Sequence, residues 1–174
     1  MSTCCANLSN IEKLCGGGNA AGMRTKLYIT CVDQVSSIPA ATAKVISSDI
    51  TMVADVGDGS AGVFYEINIS KNNQNYVGEP QGDDENPDYN HTLTFNILKM
   101  TAAKNVVIDT LNGAECIVIW YDRNGVPWIM GSLTEGASFQ ASPQTNDINA
   151  YACTINWRSP QTLDSYTGAI SAAA

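Results

Sequence analysis

The amino-acid sequence predicts a mainly β domain, a β-sandwich or barrel with one flanking α-helix. Three observations carry that reading. Apolar and polar residues alternate with the two-residue period of a strand near residues 26–32, 63–70 and 89–97. A single stretch, from about Thr101 to Asn112, has helical spacing between residues suited to cap it. The apolar run ECIVIWYD meets an Asn-Gly pair and returns as VPWIMGS, the pattern of a hairpin.

In chain order, residues 1–23 have weak periodicity and include Gly16 to Gly18, which read as a flexible arm or hinge. They do not form a phosphate-cradling loop, because no Gly-Lys-Ser/Thr follows and they lead into a strand. In KLYITCV (26–32), Leu27, Ile29 and Cys31 share one strand face, with Tyr28 and Thr30 on the other. Pro39 then breaks the chain. AKVISSDITMV (43–53) is a strand candidate interrupted near Ser47-Ser48, and residues 54–62 are a Gly/Asp-rich loop. Val63, Tyr65, Ile67 and Ile69 next alternate with Phe64, Glu66, Asn68 and Ser70.

Residues 71–88 are the longest polar stretch and read as a loop, with five acidic residues between Glu79 and Asp88. Calcium would suit such carboxylates, but the order of an EF-hand is not present. Tyr89, His91, Leu93, Phe95 and Ile97 then share one strand face, with Thr92, Thr94 and Asn96 on the other. For the helix, Thr101 is placed as N-cap and Gly113 as the residue just past the end. Met100, Ala103, Val106, Val107 and Leu111 form its apolar arc, with Ile108 nearer the polar side, so the helix is expected to pack through that arc. After the hairpin, whose Asn124-Gly125 is expected to supply left-handed backbone, GASFQAS (136–142) and YACTINWRS (150–158) are strands. The second aligns Tyr151, Cys153, Ile155 and Trp157. The uncharged end SYTGAISAAA reads as a loose end or a docking arm. The division is therefore an arm at 1–23, a β domain at 24–160 and a tail at 161–174.

At 174 residues the chain suits one domain with a substantial core. Charged residues make up only 15%, against a usual share of about 25%, so solubility rests on Asn, Gln, Ser and Thr. Uncharged polar groups cost less to desolvate than ions, which favours burial of surface against further copies of the chain. The net charge of −8, with nine scattered basic residues and only Arg24 and Lys26 close together, argues against a nucleic-acid reader. The longest apolar run, Cys116 to Tyr121, is too short to cross a membrane.

Little in the sequence points to catalysis or a cofactor. Cys31, Cys116 and Cys153 lie in strand-like runs and read as buried free thiols, while Cys4, Cys5 and Cys15 lack the Cys-x-x-Cys pairing of a zinc site. MSTCCANLSN has neither the basic start nor the long apolar core of a secretory leader. The single histidine, His91, reads as a structural core residue, and no nucleophile motif accompanies it. A glycosidase-like carboxylate pair is left open by 17 acidic residues. Asn7, Asn68 and Asn90 begin Asn-x-Ser/Thr triplets, two of them in or beside strands, where glycosylation is not expected. Trp120 and Trp128 read as core; exposure of Trp120, Trp128 or Trp157 would instead favour a β-sandwich that binds glycan or a host surface.

The succession KLYITCVDQVSSIP, VFYEINIS, EPQGDDENPDYNHTLTFNILK, the helix, CIVIWYDRNGVPWIMGS and YACTINWRSP resembles tail tube proteins of tailed bacteriophages, in particular those of phages infecting Bacteroidota. The resemblance spans about Arg24 to Pro160 and rests on element order and on short strings such as Gln81-Gly82, Asp122–Gly125 and Met130–Ser132. The first 23 residues and the alanine-rich end depart from the pattern, as they would in a specialised tube or in another virion ring at the tail end or neck. The resemblance implies hexameric rings stacked head to tail, a lumen that conducts DNA without specific binding, contacts with other tail proteins, and no cofactor, metal or membrane. It places the protein in the virion tail after assembly in the host bacterial cytoplasm. On this reading Glu66, Asn68, Thr92, Thr94 and Asn96 are the candidate lumen residues. The loops at 33–62 and 71–88, with Asp55, Asp58, Glu79, Asp83, Asp84, Glu85 and Asp88, are the candidate contacts between subunits.

Overall fold

The computed structural model describes residues 21–83 and 88–173. In chain order these form β1 (Met23–Cys31), a 3-10 turn (Val32–Gln34), β2 (Val35–Ser37), β3 (Val45–Ile46), β4 (Thr51–Met52), β5 (Tyr65–Asn68) and β6 (Asn75–Gln81). There follow β7 (Asp88–Leu98), α1 (Ala102–Leu111), β8 (Glu115–Asp122), β9 (Pro127–Met130), β10 (Ala137–Gln144), β11 (Ala150–Ser159) and β12 (Asp164–Tyr166). The protein is thus mainly β with a single helix among the described residues, as the sequence pattern predicts.

Ten strands form one mixed sheet, which divides into two halves. The first half runs β5-β1-β8-β9-β12-β3 and the second β10-β11-β7-β6. They join where Cys116 and Glu115 at the start of β8 pair with Ala137 and Ser138 of β10. Gly131 lies beside this junction at φ +100, and a Cβ there would sit 2.5 Å from the Cys116 carbonyl oxygen. A side chain at that position would be strained by both angle and space.

Two apolar clusters explain the burial. The main one lies between the halves: Leu27, Ile29, Val118 and Trp120 from the first meet Leu93, Phe95, Phe139 and Ile155 from the second. The other lies on the far face of the first half. There Ile117, Ile119 and Ile129 are covered by Val35, Ile46, Ile50, Phe64 and Tyr166. β8 is therefore enclosed on both faces, and its unbroken apolar run follows from that. Thr30, on the opposite face of β1 from Leu27 and Ile29, is buried for the same reason.

Three segments differ from the sequence expectation. Residues 71–88 contain β6, which pairs antiparallel with β7 from Asn75↔Thr94 to Gln81↔Asp88. It is an edge strand carrying Gly78, Glu79 and Pro80, so it shows no apolar alternation to read. Residues 161–173 are no loose end: β12 pairs with β9 and β3, and the Ala173 amide bonds to the Phe64 carbonyl. Tyr166 is 1% exposed, and its hydroxyl accepts from the Ile50 amide.

The helix is the third. Its caps are as expected: the Thr101 hydroxyl accepts from the Lys104 amide, and Gly113 takes φ +83. Its buried stripe, however, is Ile108 and Leu111, while Val106 and Val107 of the expected apolar arc are 68% and 53% exposed. Lys104 joins the inner side, with its half-buried stem and its ammonium bonded to the Leu98 and Lys99 carbonyls. A lysine stem can cover apolar surface while the head finds polar partners, which is how a charged residue comes to lie on this side of the helix.

At the hairpin the turn also differs in detail. Gly125 alone is left-handed (φ +91), the Gly125 amide bonds to the Asp122 carbonyl, and the Asp122 carboxylate accepts from the Val126 amide. The loop is one residue longer than a two-residue turn, so Asn124 needs no positive φ.

Candidate channel and assembly surfaces

The second half of the sheet alternates cleanly, because one face is turned to the core and the other away from it. Its outer residues fall in register. Ser138, Asn156, Thr92 and Val77 make one row, Gln140, Thr154, Thr94 and Asn75 the next, and Ser142, Ala152 and Asn96 a third. None of these eleven side chains is charged, whereas the next row of the same face, Arg158, Asn90 and Glu79, carries both signs. They hold one another: the Thr92 hydroxyl donates to the Asn156 side-chain oxygen at 3.0 Å, and Thr94 to the Asn75 carbonyl at 3.5 Å. Short hydroxyls and amides tied into the sheet make a surface with few free charges and few mobile groups. Sequence reasoning found Thr92, Thr94 and Asn96; their β6, β10 and β11 neighbours needed the register. Asn96 is itself 8% exposed, at the inner margin of this face.

Glu66 and Asn68 belong to a different surface. Both lie on β5, opposite Tyr28 and Lys26 of β1, on the far side of the first half. The molecule therefore does not bring the five candidate lumen residues together. Glu66 is also engaged: the Lys26 ammonium is 2.9 Å away, and its hydrogen bond lowers the Glu66 pKa.

The candidate contact residues divide as well. The Asp55 carboxylate accepts from the Gly57 and Gly59 amides, and that of Asp58 from the Ser60 amide and hydroxyl. These bonds lower both pKa values. The two aspartates fold their own loop, the local bonding that favours Asp in turns. Glu79 lies in β6 opposite Asn90, and Asp88 pairs with Arg158 at 2.6 Å. Asp83 is exposed beyond β6. Asp84 and Glu85 lie outside the described residues, as do Cys4, Cys5, Cys15 and Gly16 to Gly18.

One grouping was not legible in the chain. Arg24, Lys26, Lys71 and Arg123 converge on a hollow of about 620 Å³ walled by Tyr28 and Tyr121. Four of the nine basic residues, which look scattered in sequence, thus share one site. The hairpin turn brings Arg123 back beside β1, and Arg24 lies over the Tyr121 ring at 5.8 Å.

His91 has the structural setting expected of it. It is 1% exposed, stacks with Tyr76, Tyr89 and Trp157, and bonds through both ring nitrogens. Nε2 faces the Gln161 carbonyl, which can only accept, so Nε2 carries the proton and Nδ1 accepts from the Tyr76 hydroxyl at 2.8 Å. Burial lowers the His91 pKa. Of the tryptophans, Trp120 is 3% exposed, and Trp128 and Trp157 are half-buried with their N–H groups given to Asp122 and the Glu135 carbonyl. An exposed aromatic platform for glycan is therefore not formed by Trp120. Among the described residues no group of three or more His, Cys, Asp or Glu is placed to hold a metal, and no helix is long and apolar enough to cross a membrane.

No protein-family model, curated protein or solved structure matches the chain.

Proposed function

We propose that this chain is a structural subunit of a bacteriophage tail tube, forming hexameric rings that stack head to tail around a lumen for DNA. The observation that carries the reading is the three uncharged rows on the outer face of the second half-sheet, with Thr92, Thr94, Gln140, Thr154 and Asn156 at their centre; charge begins on that face only at the next row, with Arg158 and Glu79. DNA affinity begins with cations on phosphates, and a wall of short neutral groups supplies none, so DNA would slide along it unheld. The function is mechanical rather than catalytic. Glu66 and Asn68, on the opposite side, are assigned outside the lumen.

Two further features support assembly. β5 and β6 each have one paired neighbour among the described strands, so each presents an open edge. An open edge is a template for pairing with another chain, and ring closure removes it. The cationic hollow around Arg24, Lys71 and Arg123 also complements the acidic β6–β7 hairpin in sign, which suits contact between copies.

Negative-stain microscopy of the purified full chain at high concentration tests the proposal. Rings and tubes support it, and a chain that stays monomeric throughout overturns it. In assembled tubes, Thr94→Lys and Gln140→Lys together are expected to make the lumen retain duplex DNA at low salt, with retention lost as salt rises. Tubes of unaltered chain should retain none.

A further inference from the structure

Cys31 and Cys116 stand directly opposite one another on the antiparallel strands β1 and β8. Opposed residues in such a pair point to the same face, with Cα atoms about 4.5 or 5.5 Å apart. Both values fall inside the roughly 4.4–6.8 Å span of disulfides. Both thiols are free. The Cys116 thiol donates to the Ala114 carbonyl at 3.7 Å.

The two sulfurs differ in access. Cys116 is 0% exposed, whereas Cys31 is half-buried and lines an open cavity of about 400 Å³ between β1, β5 and α1. Tyr65, Val106 and Val107 form the outer wall of that cavity and are themselves exposed. A reagent thus reaches Cys31 first and Cys116 only through it. The neighbouring Cys116 thiol also lowers the Cys31 pKa, while Cys31 and burial raise that of Cys116, which sets Cys31 as the better thiolate.

We propose that Cys31 and Cys116 form a thiol–disulfide exchange site, Cys31 being the entry thiol and Cys116 the resolving one, that takes low-molecular-weight disulfides. In the first step the Cys31 thiolate attacks one sulfur of the small disulfide. That S–S bond breaks, a thiolate leaves and takes up the proton that Cys31 gave up, and a mixed disulfide is left on Cys31. Cys116 then loses its proton and attacks the Cys31 sulfur, expelling the second small thiolate, which takes that proton. Two protein thiols are oxidised to one cross-strand disulfide, and the small disulfide is reduced to two thiols. The product staples the end of β1 to the start of β8, closing a loop that contains β2 to α1. Long closed loops stabilise most in the chain-entropy account. This inference does not rest on the tube reading.

The test uses the full chain with Cys4, Cys5 and Cys15 changed to Ser, equilibrated with oxidised and reduced glutathione. Cys153, 2% exposed and with its pKa pushed up to about 12 by burial, is the inert internal reference. The expected product is two hydrogens lighter than the dithiol, yields a Cys31–Cys116 linked peptide, and melts at a higher temperature until dithiothreitol is added. In a Cys116→Ser background the reaction should stop at one glutathione on Cys31; in Cys31→Ser, Cys116 should stay unmodified. A folded protein that keeps Cys31 and Cys116 as free thiols in oxidised glutathione overturns the proposal. So does linkage that runs mainly through Cys153. Should either single variant fail to fold, the peptide map of the parent chain decides alone.

Discussion

The two halves of the sheet use the same backbone but bury it differently. The first is enclosed on both faces around β8, with the main cluster on one and the 35–64 excursion and Tyr166 on the other. The second packs one face on the core and leaves the other to short polar side chains. Their sequences differ accordingly. β8 is apolar without interruption, whereas β7 and β11 alternate. A strand pattern thus reports how many faces are covered, and only the singly covered half has a broad sheet face to offer a channel.

The largest test of this contrast is Ile119→Ala. Ile119 is 0% exposed and faces the second cluster, so urea denaturation should show a loss of about 2–5 kcal/mol. A loss as small as a surface substitution would mean that the far face of β8 is not enclosed.

Next in size is Tyr76→Phe, which takes the donor from His91 Nδ1. A buried acceptor left unpaired costs about 1–3 kcal/mol. The same site predicts a pH dependence. His91 has a folded pKa below its ordinary 6.5, so the unfolded chain takes the proton more readily. Its contribution to stability is complete above 6.5 and declines as pH falls from there through the lowered folded value. Denaturation midpoints measured across that window should fall with pH, and His91→Gln should flatten the part due to this ring.

Thr101→Ala removes the side-chain cap of α1 and should cost about 1 kcal/mol by the same measurement. The smallest effect belongs to the second half's outer face. Thr154→Ala should leave monomer stability within about 0.5 kcal/mol, because that side chain faces away from the core. A change there as large as that of Ile119→Ala would end the distinction between the two halves.

The candidate channel face was only partly legible. Thr92, Thr94 and Asn96 show their shared face through simple alternation within β7. Gln140, Thr154 and Asn75 join them through pairing between strands far apart in the chain, which no local period reveals. The cationic hollow was hidden for the same reason, since Arg24 and Arg123 meet only because β1 pairs with β8.

By itself the sequence determined the mainly β class, the single helix with its caps, the hairpin, and the inner faces of β1, β7 and β11. Each rests on a local signal: a period, a hydroxyl before a helix, or a glycine in a turn. Only the tertiary structure decided that β6 and β12 are strands, that Ile108 rather than Val106 faces inward, and that Glu66 lies apart from Thr94. Edge and short strands gain their pairing from a neighbour rather than from their own side chains. A helix resting on the margin of a sandwich likewise takes its buried stripe from what lies beneath it.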